Sequence, residues 1–247
     1  MRLGQLTGSE WQQASDTAVL LPLGTIENHG PHLPIGTDLA IAEAVCLVAS
    51  EHDESLVVAP SIPYGVSYQH RRAAGGAISL PTSLLSELLT TIVEGLVGAD
   101  DQLAVLAVNG HAGNTSAITA SVDEIGRRLG QVRFAACSWW QLVMDVIAES
   151  GRSDGGGIGH AGAIETSVML AIQPALVRRD LIPEGTSGWP DSVLRDPRLH
   201  RWLDFAPYMG DGVLGAPRDA DEEFGRMLLQ AAAERLADVA GQLRSSE

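Results

Sequence analysis

The sequence predicts an α/β fold, a three-layer αβα arrangement with a mostly parallel central sheet. Two observations carry this. Short apolar runs alternate along the chain with longer segments of helical periodicity, the pattern of strands covered on both faces by helices. Two of the runs also end in glycine-bearing loops that hold histidines and carboxylates, and open α/β sheets place their chemistry at the C-terminal ends of strands. The 247 residues, 45% hydrophobic, suffice for one large core, and no linker or repeat divides them. A single domain over 1–247 is therefore expected.

The elements follow in order. Val19–Leu23 is an apolar run ending in Gly24, so residues 18–23 read as a buried strand opening into a loop. Ala40–Ser50 has helical spacing, and Leu56–Ala59 is the next strand. Leu84–Val97 is helical, and Leu103–Val108 has the look of a central parallel strand. Asn114 and Thr115 can cap a helix over Thr115–Leu129. Val132–Ala136 reads as a strand, Trp140–Ser150 and Glu222–Leu243 as helices. Gly151–Gly159 reads as a flexible loop and a candidate lid. Residues 183–220, rich in Pro, Gly and Asp, read as a long ordered excursion over the surface or into a neighbouring subunit.

Composition narrows the function. The net charge of −15 opposes binding to nucleic acid and to anionic membranes. Cys46 and Cys137 are the only cysteines, so no disulfide framework is implied, and a reducing cytoplasm fits. No apolar stretch reaches transmembrane length, and Met1–Gly4 lacks a signal-peptide core.

Three clusters carry chemistry. Glu27-Asn28-His29-Gly30-Pro31-His32, followed by Asp38, puts two carboxylates and two imidazoles within twelve residues. Glu27 and His29 point to the same side of an extended chain. Oxygen and imidazole donors together suit Zn²⁺, Mn²⁺ or Fe²⁺ better than Ca²⁺ or Mg²⁺. Asn109-Gly110-His111-Ala112-Gly113-Asn114 places His111 just past another strand end. In His160-Ala161-Gly162-Ala163-Ile164-Glu165, His160 can serve as general acid or base and Glu165 as ligand or base. Taken singly, His29 and His32 also read as loop histidines held by carbonyls, and Glu165 as a first-turn helix residue facing the helix dipole. A Gly-x-Ser-x-Gly elbow and a phosphate-binding loop are both missing.

Together these segments resemble the creatininase family of metal-dependent amidohydrolases. The matching pieces are residues 23–34, Gly36-Thr37-Asp38, Asn109-Gly110-His111, and His160-Ala161-Gly162 with Glu165-Thr166-Ser167. Weaker matches are Pro63-Tyr64-Gly65-Val66-Ser67 with His70, residues 76–80, and Gly212-Val213-Leu214-Gly215. The resemblance implies two metals per chain. Glu27, Asp38 and His111 would hold one; His29 and Asp38 would hold the other, with Asp38 bridging. In creatinine-hydrolysing members a glutamate two residues after the histidine of the Asn-Gly-His motif completes the second site. Here that position is Gly113, and Glu165 is the candidate replacement. A tryptophan four residues before the histidine matched by His160 is here Gly156, while the other substrate-facing tryptophan is matched by Trp140.

The implied reaction is hydrolysis of a non-standard or cyclic amide C–N bond, with bound metal lowering the pKa of water from 15.7 to about 7. His160 is the candidate proton shuttle to the leaving nitrogen. His32 and His70 are weaker candidates for supporting or substrate contacts. Family members act on creatinine, on formamide-bearing pterin or flavin precursors, and on a ribosomally made peptide of the mycofactocin pathway. The alternatives are therefore a peptidase trimming such a precursor and a metal-binding scaffold without catalysis. Resemblance also implies a homo-oligomer, a hexamer.

Overall fold

Alternate residues of the buried strands serve two different cores. The computed structural model describes residues 1–14, 16–72, 75–98, 103–130, 132–152, 157–186 and 202–246. Strands β1 (Ala18–Leu23), β3 (Leu56–Val58), β5 (Ala104–Asn109) and β6 (Phe134–Ser138) form one sheet, in the order β3-β1-β5-β6, every pair parallel. Ala18, Leu20, Leu106 and Val108 point to one face and pack with α2 (Thr37–His52), α6 (Ala163–Ile172) and α7 (Glu222–Ser245). Val19, Leu21, Leu23 and Val105 point to the other and pack with α3 (Thr82–Val97) and α4 (Thr115–Leu129). The period of two thus builds the three layers. The sheet expected from sequence is found, and among the described residues it is wholly parallel.

Pro22 sits in a central strand, where its missing N–H would ordinarily break a ladder. Here β3 ends at Val58, two registers before Pro22, so no strand carbonyl waits for that proton. The Pro22 carbonyl still accepts from Ile62 N at 2.9 Å.

β1 sits between β3, the next strand of the sheet in sequence, and β5, so the order reverses between β1 and β5. That is a topological switch point, where open α/β sheets bind ligands. The two strands end level, with Leu23 opposite Asn109 and Gly110 N donating to Leu23 O at 2.7 Å. Past β1 the chain forms β2 (Ile26–Glu27), which pairs antiparallel with β4 (Ala77–Ile78). This small ladder, a short helix α1 (Gly8–Gln13) and a short helix α5 (Met144–Glu149) complete the strands and α-helices among the described residues.

Several boundaries differ from expectation. α2 starts at Thr37, three residues early, because Gly36 offers no side-chain cap to mark its start. β6 lies two residues later than expected. The helix expected over 140–150 is a 3₁₀ stretch, Trp139–Val143, followed by α5. α6 had no amphipathic signature, since every residue from Ala163 to Leu170 is buried. No helix among the described residues is long and apolar enough to cross a membrane.

Leu106, in the middle of β5, is fully buried under α2 and α7. Leu106→Ala is expected to cost about 2–5 kcal/mol, as core truncations do, read as a lower urea midpoint with unchanged slope.

Candidate metal centre

Each of the three clusters arrives at the switch point from a different element. β2 carries Glu27, and His29 follows it. The first turn of α2 carries Asp38, the loop after β5 carries His111, and the segment entering α6 carries His160 and Glu165. All six side chains are buried, none more than 7% exposed. Three groups of them bring one donor atom each within 4.8 Å of one another: Glu27, Asp38 and His111; His29, Asp38 and Glu165; and Glu27, His29 and His160. Asp38 belongs to the first two.

The histidines are oriented from behind. His29 Nδ1 lies 3.1 Å from Glu27 O, His111 Nε2 lies 3.1 Å from Val66 O, and His160 Nε2 lies 2.6 Å from Asn28 O. A carbonyl only accepts, so each of these nitrogens donates its proton outward. The opposite nitrogens face carboxylates. His29 Nε2 is 3.1 Å from Asp38 Oδ1 and 3.9 Å from Glu165 Oε2. His111 Nδ1 is 3.3 Å from Glu27 Oε1 and 3.2 Å from Asp38 Oδ2. His160 Nδ1 is 3.5 Å from Glu27 Oε1. A ring nitrogen tied to a carbonyl, with its partner aimed at an acidic cluster, is how metal-binding imidazoles are presented.

Two oxygens test whether these residues suit a cation. Glu27 Oε1 and Asp38 Oδ2 are buried and accept no hydrogen bond. Buried carboxylate oxygens are costly unless something satisfies them, and both converge on His111 Nδ1. The buried carboxylates and imidazoles shift one another's proton affinity. Burial opposes charge on His29, but Asp38, then Glu165 and Glu27, hold its pKa up to about 10. Burial also opposes charge on His111, which Glu27 and Asp38 hold well above the imidazole range. Burial pushes the Glu165 carboxyl up to about 8. Burial drives His160 the other way, with His29 and His70 adding to the effect. Three carboxylates and several imidazoles form a donor set suited to Zn²⁺, Mn²⁺ or Fe²⁺.

The loops are built for this placement. In the 109–114 loop, Asn109 Oδ1 accepts from His111 N at 3.0 Å, and its amide donates to His111 O at 2.8 Å. Asn114 ties that loop to β1 through Gly24 O at 3.2 Å, and its Oδ1 accepts from Val66 N at 2.7 Å. A Cβ on Gly110 would stand 2.1 Å from Asp38 O, so only glycine lets α2 approach β5. His160 is fixed by a two-bond exchange with Leu214, both at 2.8 Å, which accounts for the 212–215 match. Ala161 takes a left-handed φ of +49°, uncommon for a residue with a Cβ. Its N–H donates to Glu165 Oε2 at 2.6 Å. Glu165, in the first turn of α6, therefore holds the N–H of Ala161 ahead of the helix and faces His29.

The cleft beside the cluster encloses about 350 Å³. His70, His111, His160, Asp38, Glu165, Phe205 and Gly157–Gly159 are among its walls. His70 lies 3.7 Å from Glu27 Oε1. Two of the weaker candidates are not among the residues that line the cleft. His32 is fully buried, its Nε2 2.9 Å from Thr166 Oγ1, so it braces α6 and does not touch the cleft. Trp140 packs against the core beside Trp139 and is also absent from the cleft wall. Gly156 and the centre of the expected lid lie outside the described residues, as does 187–201 of the expected excursion. The described remainder of that excursion reaches the cleft through Phe205 and Leu214. Sequence reasoning missed Phe205, and also Ser67, which donates to Glu27 Oε2. Only the weak 63–67 match touched Ser67, and Phe205 had no signal at all.

Gly113 is more than an absent glutamate. A Cβ there would stand 2.3 Å from Val66 O and 2.4 Å from His111 Nε2. The hydrogen bond that orients His111 occupies the space a side chain would need.

Comparison with known proteins points to one family. A family model described as creatininase, creatinine amidohydrolase, matches residues 4–240. The mycofactocin precursor peptide peptidase of Mycobacterium tuberculosis is 35% identical over 238 residues, covering 93% of this chain and 86% of that one. The creatinine amidohydrolase of Pseudomonas putida is 28% identical, covering 96% and 95%. A manganese creatininase structure superposes with a TM-score of 0.84 at 26% identity, over 99% of both chains, and a creatininase variant of Zn–Zn type with 0.83 at 25%, over 99% of this chain and 98% of that one. With nearly the whole chain matched in sequence and in fold, this protein belongs to the creatininase family of amidohydrolases.

Proposed function

We propose that this chain is a two-metal hydrolase that cleaves an amide C–N bond in a peptide or peptide-derived substrate. The pair of buried, unsatisfied oxygens on Glu27 and Asp38, aimed at one point with His111, carries the metal part of the reading. Glu27, Asp38 and His111 hold one ion; His29, Asp38 and Glu165 hold the other. When bound, the pair of dications supplies a nucleophile from water near neutral pH and polarises the carbonyl under attack. Ser67 positions Glu27 by holding its other oxygen. His160, with Nε2–H tied to Asn28 O, keeps Nδ1 as the acceptor that takes a proton and passes it to the leaving nitrogen. His70 and Phe205, edge to face at 5.1 Å, wall the substrate and exclude water. The enzyme acts as one domain, in the cytoplasm, as a homo-oligomer of the hexameric kind.

The substrate part rests on Gly113 and on the relatives. The structure leaves no room for a glutamate at 113, Trp140 does not face the cleft, and the 35% identical relative is a precursor-peptide peptidase.

Elemental analysis of the purified protein is expected to find a divalent transition metal, and chelation to abolish amide hydrolysis. Metal-free protein with full activity would sink the proposal.

Glu165→Gln is expected to bind about one ion fewer per chain while remaining folded. If Glu165 only caps α6, the metals stay and stability falls by about 0.3–1 kcal/mol, so metal stoichiometry beside a melting curve decides.

Creatinine is expected to be turned over poorly, and Gly113→Glu to worsen matters. The new Cβ must displace His111, and disturbing a ligand's hydrogen bond typically costs about 10–100-fold in metal affinity. A Gly113→Glu variant that gains creatinine turnover with full metal content would refute this.

A further inference from the structure

The cleft has a neighbour with which it shares a wall. Phe205 N donates to Gln69 O at 3.2 Å, joining the turn at Tyr68–His70 to the segment 202–205. On one side of this junction Gln69, His70 and Phe205 face the metal cluster. On the other, Tyr68, Arg71, Arg72, Trp202 and Asp204 line a second hollow of about 350 Å³. Nothing in the hydrolytic chemistry uses it.

Its lining is unusual for this chain. Acidic residues outnumber basic ones 31 to 16, yet two adjacent exposed arginines stand here. Arg72 Nη1 is 3.5 Å from Asp204 Oδ2, but its side chain is 82% exposed, which makes the pair weak. Arg71 has no carboxylate partner among the described residues. Trp202, 64% exposed, is the most exposed large apolar side chain among them. Guanidinium forks match carboxylates in two-point geometry, and an open indole face offers stacking area.

We propose that this hollow binds an acidic residue of the substrate, a few residues along a peptide from the amide held in the metal cleft. The inference rests on the hydrolase reading and names its substrate class. A small cyclic amide would fill the first hollow alone and leave Arg71 and Trp202 without a role. An acidic peptide is repelled by most of this surface, so a positive patch beside the cleft also directs where it lands.

The test uses the metal-loaded protein and two pentapeptides, Gly-Asp-Gly-Asp-Gly and Gly-Asn-Gly-Asn-Gly, amidated and labelled with a net-neutral dye. Fluorescence anisotropy reads binding without any turnover. The aspartyl peptide is expected to bind roughly tenfold tighter, and Arg71→Ala to remove about that factor, the loss of one charge-assisted contact. Added salt should narrow the difference. Trp202→Ala should weaken both peptides, and metal content and hydrolysis of a small amide should be unchanged in both variants. Equal binding of the two peptides, or an unchanged preference in Arg71→Ala, overturns the proposal. So does dissociation of the oligomer in Trp202→Ala by light scattering, which would mean that a second copy fills the hollow. Preserved Asp-over-Asn preference in a protein that hydrolyses no amide would strike the hydrolase reading and leave the acidic-residue hollow standing.

Discussion

Glu27, Asp38 and Glu165 are buried with their oxygens a few ångströms apart around shared imidazoles, and that crowding is the constraint from which the rest of the structure follows. Like charges in a poorly solvated site repel strongly unless cations separate them. The fold supplies partial relief. Asp38 and Glu165 both lie in the first turn of a helix, α2 and α6, where the dipole favours anions. Two unsatisfied oxygens remain, and a metal pair answers that deficit in a way that backbone dipoles do not.

Holding such a cluster demands rigidity behind it. β1 and β5 end at the same level, and the glycine at 110 lets α2 close to contact distance, so Asp38 and His111 meet across the switch point. Asn109 and Asn114 spend every polar atom on the loop backbone and its neighbours. The left-handed Ala161 turns one N–H onto Glu165. In the 109–114 stretch the amides fix the loop that carries the imidazole, and the glycines clear the space.

Much of this was legible in the sequence, for identifiable reasons. The strands announced themselves as continuous apolar runs because the parallel sheet is buried on both faces. The ligand candidates were legible because Glu, His and Asp gather at the ends of those runs. What could not be read was direction. His32 and His29 lie three residues apart in one loop, yet one braces Thr166 and the other faces Asp38. Trp140 follows a strand end as the family pattern asks, but it turns toward the core. α6 hid because it is buried all round, with Glu165, Thr166 and Ser167 as enclosed as their apolar neighbours. Ser67 and Phe205 come from segments 40 and 178 residues away from Glu27 (67 − 27 and 205 − 27), and only the fold brings them together.

Chemistry and selectivity are accordingly carried by different parts of the chain. The candidate donors sit at sheet ends and helix starts, where packing admits little change, as Gly113 illustrates: even one added carbon there meets His111 and Val66. The walls of the cleft come instead from the turn at 68–70 and the segments 157–159 and 202–214, irregular backbone free to differ between relatives. The same turn that offers His70 to the metal side offers Arg71 to the outer side. A change of sequence there can alter which substrate is held while leaving the donor set untouched, which is how one metal-binding scaffold can serve both a ring amide and a peptide.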